Sequence, residues 1–451
     1  MLNLSSLNLT VFLSITITFG LLIALSRLKS PSQNLLENLL MGRRLSTPAL
    51  AITLVSSWYC GILGATQIAY KNGIYNFIVL GVFWYLAAVI FAMTLSSKIF
   101  RSGSMSLPEL VGRAYGKGAE KMLLYLMLIK TMPINYIMAF CIIITFLFKI
   151  PEPMAWCVTV IIAISMLLRT SLRNVMLIDY IQFITIFSTL FWVCYYSAMQ
   201  LGGISELFAQ LPASHTSVTG NSDYSKMILW FMVALSTTIL SPIFHQRCAA
   251  SNSGKTARRG ILFSLIFWFV SDALTTLGGL YAFAKFGPGY DEHAFMHLMM
   301  AVMPDGLLGY ALAALLITAF SALDTHIFAS KSLVLSSCHH LPKNFQYALS
   351  IGIIIASAII GIFLQGDLEK AWLLFDSAFI SSLMIPAIVA IRNPHILTSK
   401  QFRTIIIACF TTAVFSEYLM LSRGASSCLW ILCLNAVLVV SCHFYNRCVA
   451  R

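Results

Sequence analysis

The chain has 451 residues, 59% of them hydrophobic and only 10% charged, a balance that excludes a soluble globular protein. Its formal net charge of +13 would suggest nucleic acid in a soluble protein, but here the excess falls in loops that face anionic lipid headgroups, and no nucleic acid partner is expected. The 11 cysteines form no CxxC pair and no histidine spacing that would hold a metal, so they read as small apolar packing residues.

Long apolar stretches follow one another along the chain, each near the roughly twenty residues that cross a hydrocarbon core of about 30 Å. The approximate spans are Leu7 to Ser26, Pro48 to Tyr70, Tyr75 to Leu95, Ala119 to Leu147, Pro153 to Leu168, Val175 to Leu201 and Met227 to Phe244. They continue with Gly260 to Phe283, Leu307 to Leu335, Phe345 to Leu364, Trp372 to Ile391, Phe402 to Leu421 and Ser427 to Phe444. The reading is therefore an all-α integral membrane protein with about 13 transmembrane helices. The first stretch has no basic residue before it and no small-residue cleavage site after it, and it reads as an uncleaved helix.

Of the 29 lysines and arginines, only Lys71, Lys149, Lys226, Lys285, Lys370 and Arg423 fall in the loops of one side, and Lys130 lies within a span. The positive-inside rule makes the other side cytoplasmic, with the amino terminus outside and the carboxyl terminus inside.

Two spans are interrupted by composition. In Ser56-Ser57-Trp58-Tyr59-Cys60-Gly61-Ile62-Leu63-Gly64-Ala65-Thr66, glycines and hydroxyls cluster at mid-membrane. The seventh span carries Ser236-Thr237-Thr238 and then Ser241-Pro242, where proline frees a carbonyl one turn earlier. Interruptions at corresponding positions of spans two to six and seven to eleven point to a midplane binding site in an inverted repeat; tight packing through small residues would use the same composition.

The loops carry a resemblance. Met41-Gly42-Arg43-Arg44-Leu45, Ser106-Leu107-Pro108-Glu109 with Arg113-Ala114-Tyr115-Gly116, and Leu172-Arg173-Asn174-Val175 with Asp179-Tyr180-Ile181-Gln182 come first. His245-Gln246-Arg247 with Ala257-Arg258-Arg259-Gly260, and Ser321-Ala322-Leu323-Asp324-Thr325, follow in order. Together, over about Gly42 to Arg392, they resemble the sodium/solute symporter family, which includes proline, sugar and pantothenate symporters. The resemblance implies the leucine-transporter fold: a 5+5 inverted repeat with one extra helix before it and two after. On that plan residues 1–45 form the extra helix and its loop, 46–201 the first repeat, 202–226 an extracellular loop, 227–392 the second repeat and 393–451 the two last helices.

Some of these strings also make sense unaided. Ser106 and Glu109 form a capping box with Pro108 in the first turn, Arg258 and Arg259 anchor a helix at the cytoplasmic face, and Gln246 and Arg247 are expected to cap free carbonyls of the preceding helix.

The resemblance also implies a sodium site. Its ligands would be the carbonyls of Leu54 and Ser57 on the broken second span, with Thr318, Ser321 and Ala322 on the ninth. A hard cation takes five or six oxygens, and an unwound helix supplies carbonyls without adding charge. Ala322 departs from the family pattern of serine or threonine. Thr318 and Thr325 lie one turn to either side, and either of these hydroxyls or a water would fill the gap; the other readings are a weak sodium site, proton coupling or no coupling.

Charges at membrane depth are functional candidates by default. Lys130 is expected either to meet an anionic group of the solute or to pair with Asp272 or Asp376. Asp179 resembles a family carboxylate of the ion pathway, and is otherwise a polar residue at a helix start near Arg173. Asp324 resembles a common family residue with a hydrogen-bonded structural role, His326 reads as a packed polar residue or a proton carrier, and Glu417 as a packing or interface residue. The remaining solute-site candidates are Trp58, Tyr59, Gly61 and Thr66 at the helix break and Trp230, Thr237 and Thr238 across from it, because a few rings and hydroxyls suit a small polar solute.

The function that follows is secondary active transport: cation-coupled, sodium-driven symport of a small polar or anionic solute in a plasma membrane of the bacterial inner type, without an obligate protein partner. Proton-coupled or uncoupled transport and a transport-defective sensor are the alternatives. An enzyme is not expected, since histidines 245, 297, 326 and 339 lie scattered.

Overall fold

In the computed structural model the described residues are 5–27, 34–58, 62–167, 171–290, 293–337, 342–364, 368–419 and 425–449, the side chains of 25–27, 368–378, 417–419, 425–429 and 449 excepted. Tyr59, Gly61 and the side chains of Asp376 and Glu417 lie outside them. Within these limits every predicted stretch is helical. The chain runs α1 (Ser6–Arg27), α2 (Leu35–Leu40), α3 (Thr47–Ser56), α4 (Ile62–Asn72), a π-helical turn (Phe77–Val82), α5 (Phe83–Thr94), α6 (Ser96–Ser102) and α7 (Leu107–Tyr115). It goes on with α8 (Lys117–Lys130), α9 (Ile134–Phe148), α10 (Glu152–Met166), α11 (Leu172–Leu201), α12 (Ile204–Gln210), α13 (Ala213–Thr216), α14 (Tyr224–Leu240) and α15 (Pro242–Ala250). The rest is α16 (Gly254–Phe286), α17 (Ala294–Val302), α18 (Leu307–Ser337), α19 (Lys343–Phe363), α20 (Leu368–Arg392), α21 (Ser399–Leu419) and α22 (Ala425–Val449).

Among the described residues eight helices are long and apolar enough to cross a membrane, or nine if α14 and α15 form one span bent by 41°. The expected thirteen exceeds this because several stretches are divided: α3 and α4 are each about half a span, and α10 has only 15 residues. The apolar side chains left outside, such as Ile17, Ile184 and Phe363, form the surface that lipid requires.

Both interruptions read from the sequence are present. α3 stops at Ser56 and α4 begins at Ile62; α14 stops at Leu240, Ser241 is extended, and Pro242 opens α15. The long α16 packs along both α3 and α4 and holds the two halves in line. It does so through glycine: a β-carbon at Gly260 would come within 2.7 Å of Leu50 on α3, and one at Gly279 within 2.5 Å of Ala69 on α4, the close backbone approach that small residues permit.

At the other end of the broken pairs, Leu45 before α3 forms a parallel bridge with Ser251 after α15, through Leu45 N–H to the Ala250 carbonyl (2.9 Å) and Asn252 N–H to the Leu45 carbonyl (3.1 Å). The expected capping box is present in part: Glu109 N–H donates to Ser106 Oγ (3.3 Å), while Glu109 Oε2 accepts from Met105 N–H (2.8 Å), one residue before the cap.

Two basic residues counted as cytoplasmic are instead buried in helices. Arg247 on α15 is 1% exposed, and Lys331 on α18 is 7% exposed, its ammonium bonded to the Leu167 carbonyl at 2.5 Å. Loop assignment by charge alone fails for a cation that has found protein acceptors.

Candidate functional site

The carbonyl that Pro242 leaves without a helical donor is that of Thr238; the next one, of Ile239 at the end of α14, accepts from His245 Nε2 at 2.8 Å. The histidine, not Gln246 or Arg247, thus mends the end of α14. Gln246 Nε2 reaches Leu39 O (3.3 Å) and Ser332 Oγ (2.9 Å). Arg247 turns inward, with Nη1 on Gln246 Oε1 (2.8 Å) and Nη2 on Thr53 Oγ1 (3.0 Å). Nothing in the sequence singled out these two side chains as interior.

Arg247 leads to Asp179. This residue is fully buried and not a polar position at a helix start near Arg173. Its Oδ2 accepts from Thr53 Oγ1 on α3 and lies 3.9 Å from Arg247 Nη2. Its Oδ1 accepts from Ser321 Oγ (2.9 Å) and Thr325 Oγ1 (3.4 Å) on α18, and its carbonyl from Ser56 Oγ (2.9 Å). One carboxylate therefore joins α3 beside its break, α11, α15 and α18. A turn further along α11, Gln182 is buried with neither amide atom hydrogen-bonded among the described residues.

Of the residues expected around sodium, Ser321 touches this joint directly; the others bond within their own helices. Ser57 Oγ donates to the Leu54 carbonyl (2.7 Å), Thr318 Oγ1 to the Ala314 carbonyl (2.6 Å), and His326 Nδ1 to the Ala322 carbonyl (3.0 Å). A hydroxyl that donates keeps its lone pairs, and a carbonyl that accepts once keeps a second, so these bonds leave oxygen available to a cation. Asp324 is buried on the same helix. His326 stacks on Tyr136 at 3.6 Å between ring centroids.

Beside the break in α3 and α4 lie two cavities that share Trp58. The first has about 650 Å³ of empty space and is lined by Trp58, Trp84, Tyr85, Phe244, Trp268 and Asp272, with Thr238 and Thr275 at its wall. The second has about 750 Å³ and is lined by Lys130, Asn135, Tyr136, Thr237, Pro242 and His326 among others.

The solute candidates are thus divided. Trp58 and Thr238 line the first cavity, and Trp58, Lys130 and Thr237 the second. Thr66 is buried with its hydroxyl on the carbonyls of Ile62 (2.8 Å) and Leu63 (3.2 Å), which closes the first turn of α4. Trp230 packs in a separate apolar cluster with Ile68, Tyr75 and Val79. Lys130 Nζ lies 5.8 Å from the Phe379 ring centroid. Asp272 is not its partner: that carboxylate lies in the other cavity, where Tyr85 Oη donates to Oδ2 at 2.6 Å.

Residues 39–391 match the model of the "Sodium:solute symporter family". A search of curated proteins finds no match. Among solved structures, a Na+-coupled sialic acid symporter in a substrate-bound outward-open state is similar over 97% of this chain and 96% of its own, with a TM-score of 0.74 at 14% identity. Mhp1, a nucleobase-cation-symport-1 family transporter, is similar over 90% and 93% (TM-score 0.60, 12% identity). A manganese transporter of Eremococcus coleocola is similar over 92% and 94% (TM-score 0.55, 14% identity). Broken helices flanking the two cavities, these neighbours and the family match agree: the chain belongs to the sodium:solute symporter family and is a multi-pass membrane secondary transporter of the leucine-transporter fold.

Proposed function

We propose that the protein carries out sodium-coupled symport of a small polar solute by alternating access, with the solute held in the cavities around Trp58 and sodium at the junction of α3 and α18. The observation that carries this reading is the pair of breaks, α3/α4 and α14/α15, beside those cavities. Irregular backbone at membrane depth is tolerated only where it lines a site or is buried in protein, and half-helix ends can offer carbonyls to a cation.

Thirteen crossings arranged as two repeats, 46–201 and 227–392, fit the helix order: each repeat opens with a broken helix. The basic-residue distribution favours a cytoplasmic carboxyl terminus and a bacterial inner membrane. Sodium would be held by the Leu54 and Ser57 carbonyls with Thr318 and Ser321, and Asp179 would add negative charge through Ser321. Asp179 and Asp324 would line the way by which the ion leaves. Lys130 in the second cavity favours a solute with an anionic group on that side; Tyr59 and Gly61 stay in the proposal through their position at the break.

Uptake of labelled amino acids, sugars and carboxylates into proteoliposomes tests this, under an inward sodium gradient and under an equal potassium gradient. Accumulation that needs sodium is expected for one class, and accumulation indifferent to the cation contradicts the coupling.

A further inference from the structure

The first cavity holds an acid without a base. Asp272 sits near the middle of α16, and its one hydrogen-bonding partner among the described residues is Tyr85. No lysine, arginine or histidine lines the cavity. A carboxylate kept ionised at membrane depth requires a counter-charge, and the described residues lining the cavity supply none.

What surrounds the carboxylate is aromatic. Trp84 lies 4.7 Å from Trp58 between ring centroids, Trp58 lies 6.4 Å from Phe244, and Phe244 lies 6.2 Å from Trp268. Four rings thus form a continuous wall. Such faces attract a cation through their quadrupole, most strongly when the cation is poorly hydrated.

Tyr85 Oη donates to Asp272 Oδ2, and Thr275 Oγ1 donates to the Asp272 carbonyl at 3.2 Å. Three polar atoms of lining residues, Trp58 Nε1, Trp84 Nε1 and Thr238 Oγ1, are buried without a hydrogen-bond partner among the described residues. These atoms suit a ligand that also bears an oxygen.

The local backbone makes room for this group. The π-helical turn Phe77–Val82 places Gly81 against the acid: a β-carbon there would lie 3.0 Å from Tyr85 Oη and 3.6 Å from Asp272 Oδ2. Single π-turns are frequent at functional sites.

We infer that the cavity between α4, α5, α14 and α16 binds a substituted ammonium group of the solute, with Asp272 as its counter-ion and Trp58, Trp84, Phe244 and Trp268 as its aromatic wall. This names the solute's chemistry and rests on the transporter reading above.

The test compares two probes that differ in one atom and one charge: choline and its uncharged carbon isostere 3,3-dimethylbutan-1-ol. The unfolding midpoint of the purified full-length protein is followed against each, at fixed sodium and matched ionic strength. Choline is expected to raise the midpoint saturably and to act at concentrations roughly tenfold or more below any effect of the isostere. D272N should abolish that preference, and G81A should weaken choline binding while leaving the carboxylate in place. Equal responses to the two probes in the wild type, or an undiminished choline response in D272N, would overturn the inference, and the first of these needs no variant to fold. A parallel sodium titration without probe separates the two readings: if sodium stabilises and choline does not, only the ligand class falls, and if choline binds without any sodium response, the coupling falls and the cation site stands.

Discussion

Asp179 and Asp272 both lie within the helix bundle, and their surroundings differ. Asp179 is met from α3, α15 and α18 by Thr53, Arg247, Ser321 and Thr325. Among the described residues Asp272 is met by Tyr85 alone, beside a cavity of about 650 Å³. A carboxylate with every side occupied by protein holds helices together, whereas one facing open space and rings holds something that arrives. On the proposed reading the contrast separates a joint between moving parts from a place for cargo, although both look alike in the sequence as lone acids in apolar helices.

The largest expected effect of substitution is therefore at the joint. Asp179→Ala leaves Arg247 without its counter-charge in an apolar interior, which should cost about 3–5 kcal/mol and lower the unfolding midpoint sharply. Asp272→Asn keeps the shape and the Tyr85 neighbour, so it should stay within about 1 kcal/mol of wild type. Equal losses in the two variants would break the comparison.

Arg247→Gln comes next. With the guanidinium gone, Asp179 keeps its hydroxyls but lacks a charge, a deficit of about 3 kcal/mol that sodium at the neighbouring site can partly offset. The midpoint of this variant should fall in potassium and recover in sodium by more than wild type does; a fall of the same size in both salts would mean that the joint and the ion site are not in contact. The smallest effect belongs to Tyr85→Phe, which removes one hydrogen bond worth about 1 kcal/mol and should leave the midpoint nearly unchanged. A large loss there would make Asp272 a structural acid.

Much of this arrangement was legible beforehand, for stated reasons. Helix breaks need glycine, hydroxyls or proline, and Ser56 to Thr66 and Ser241-Pro242 carry them, so both interruptions could be read. Ser57, Thr318 and Ser321 enter the proposed sodium site through a resemblance whose motifs are local in sequence. Arg247 was misread because an arginine shortly after a span is more often a loop anchor, and only the third dimension brings Thr53 and Asp179 to it. The aromatic wall was missed for a similar reason: Trp84, Phe244 and Trp268 sit on three different helices with no shared spacing. Their convergence depends on α16 running along both halves of the broken helix, which Gly260 and Gly279 permit. Trp230, chosen for lying opposite the break, instead fills an apolar cluster because its face of α14 turns toward Tyr75 and Val79.

The measurement closest to the central claim is the unfolding midpoint of purified protein titrated with sodium against potassium at constant ionic strength, for wild type and Ser321→Ala. Coupling at the junction of α3 and α18 predicts a saturable rise with sodium in the wild type and a curve displaced to roughly tenfold higher sodium in the variant. Superimposable curves for the two proteins, or a wild type that responds equally to both salts, would contradict the assignment.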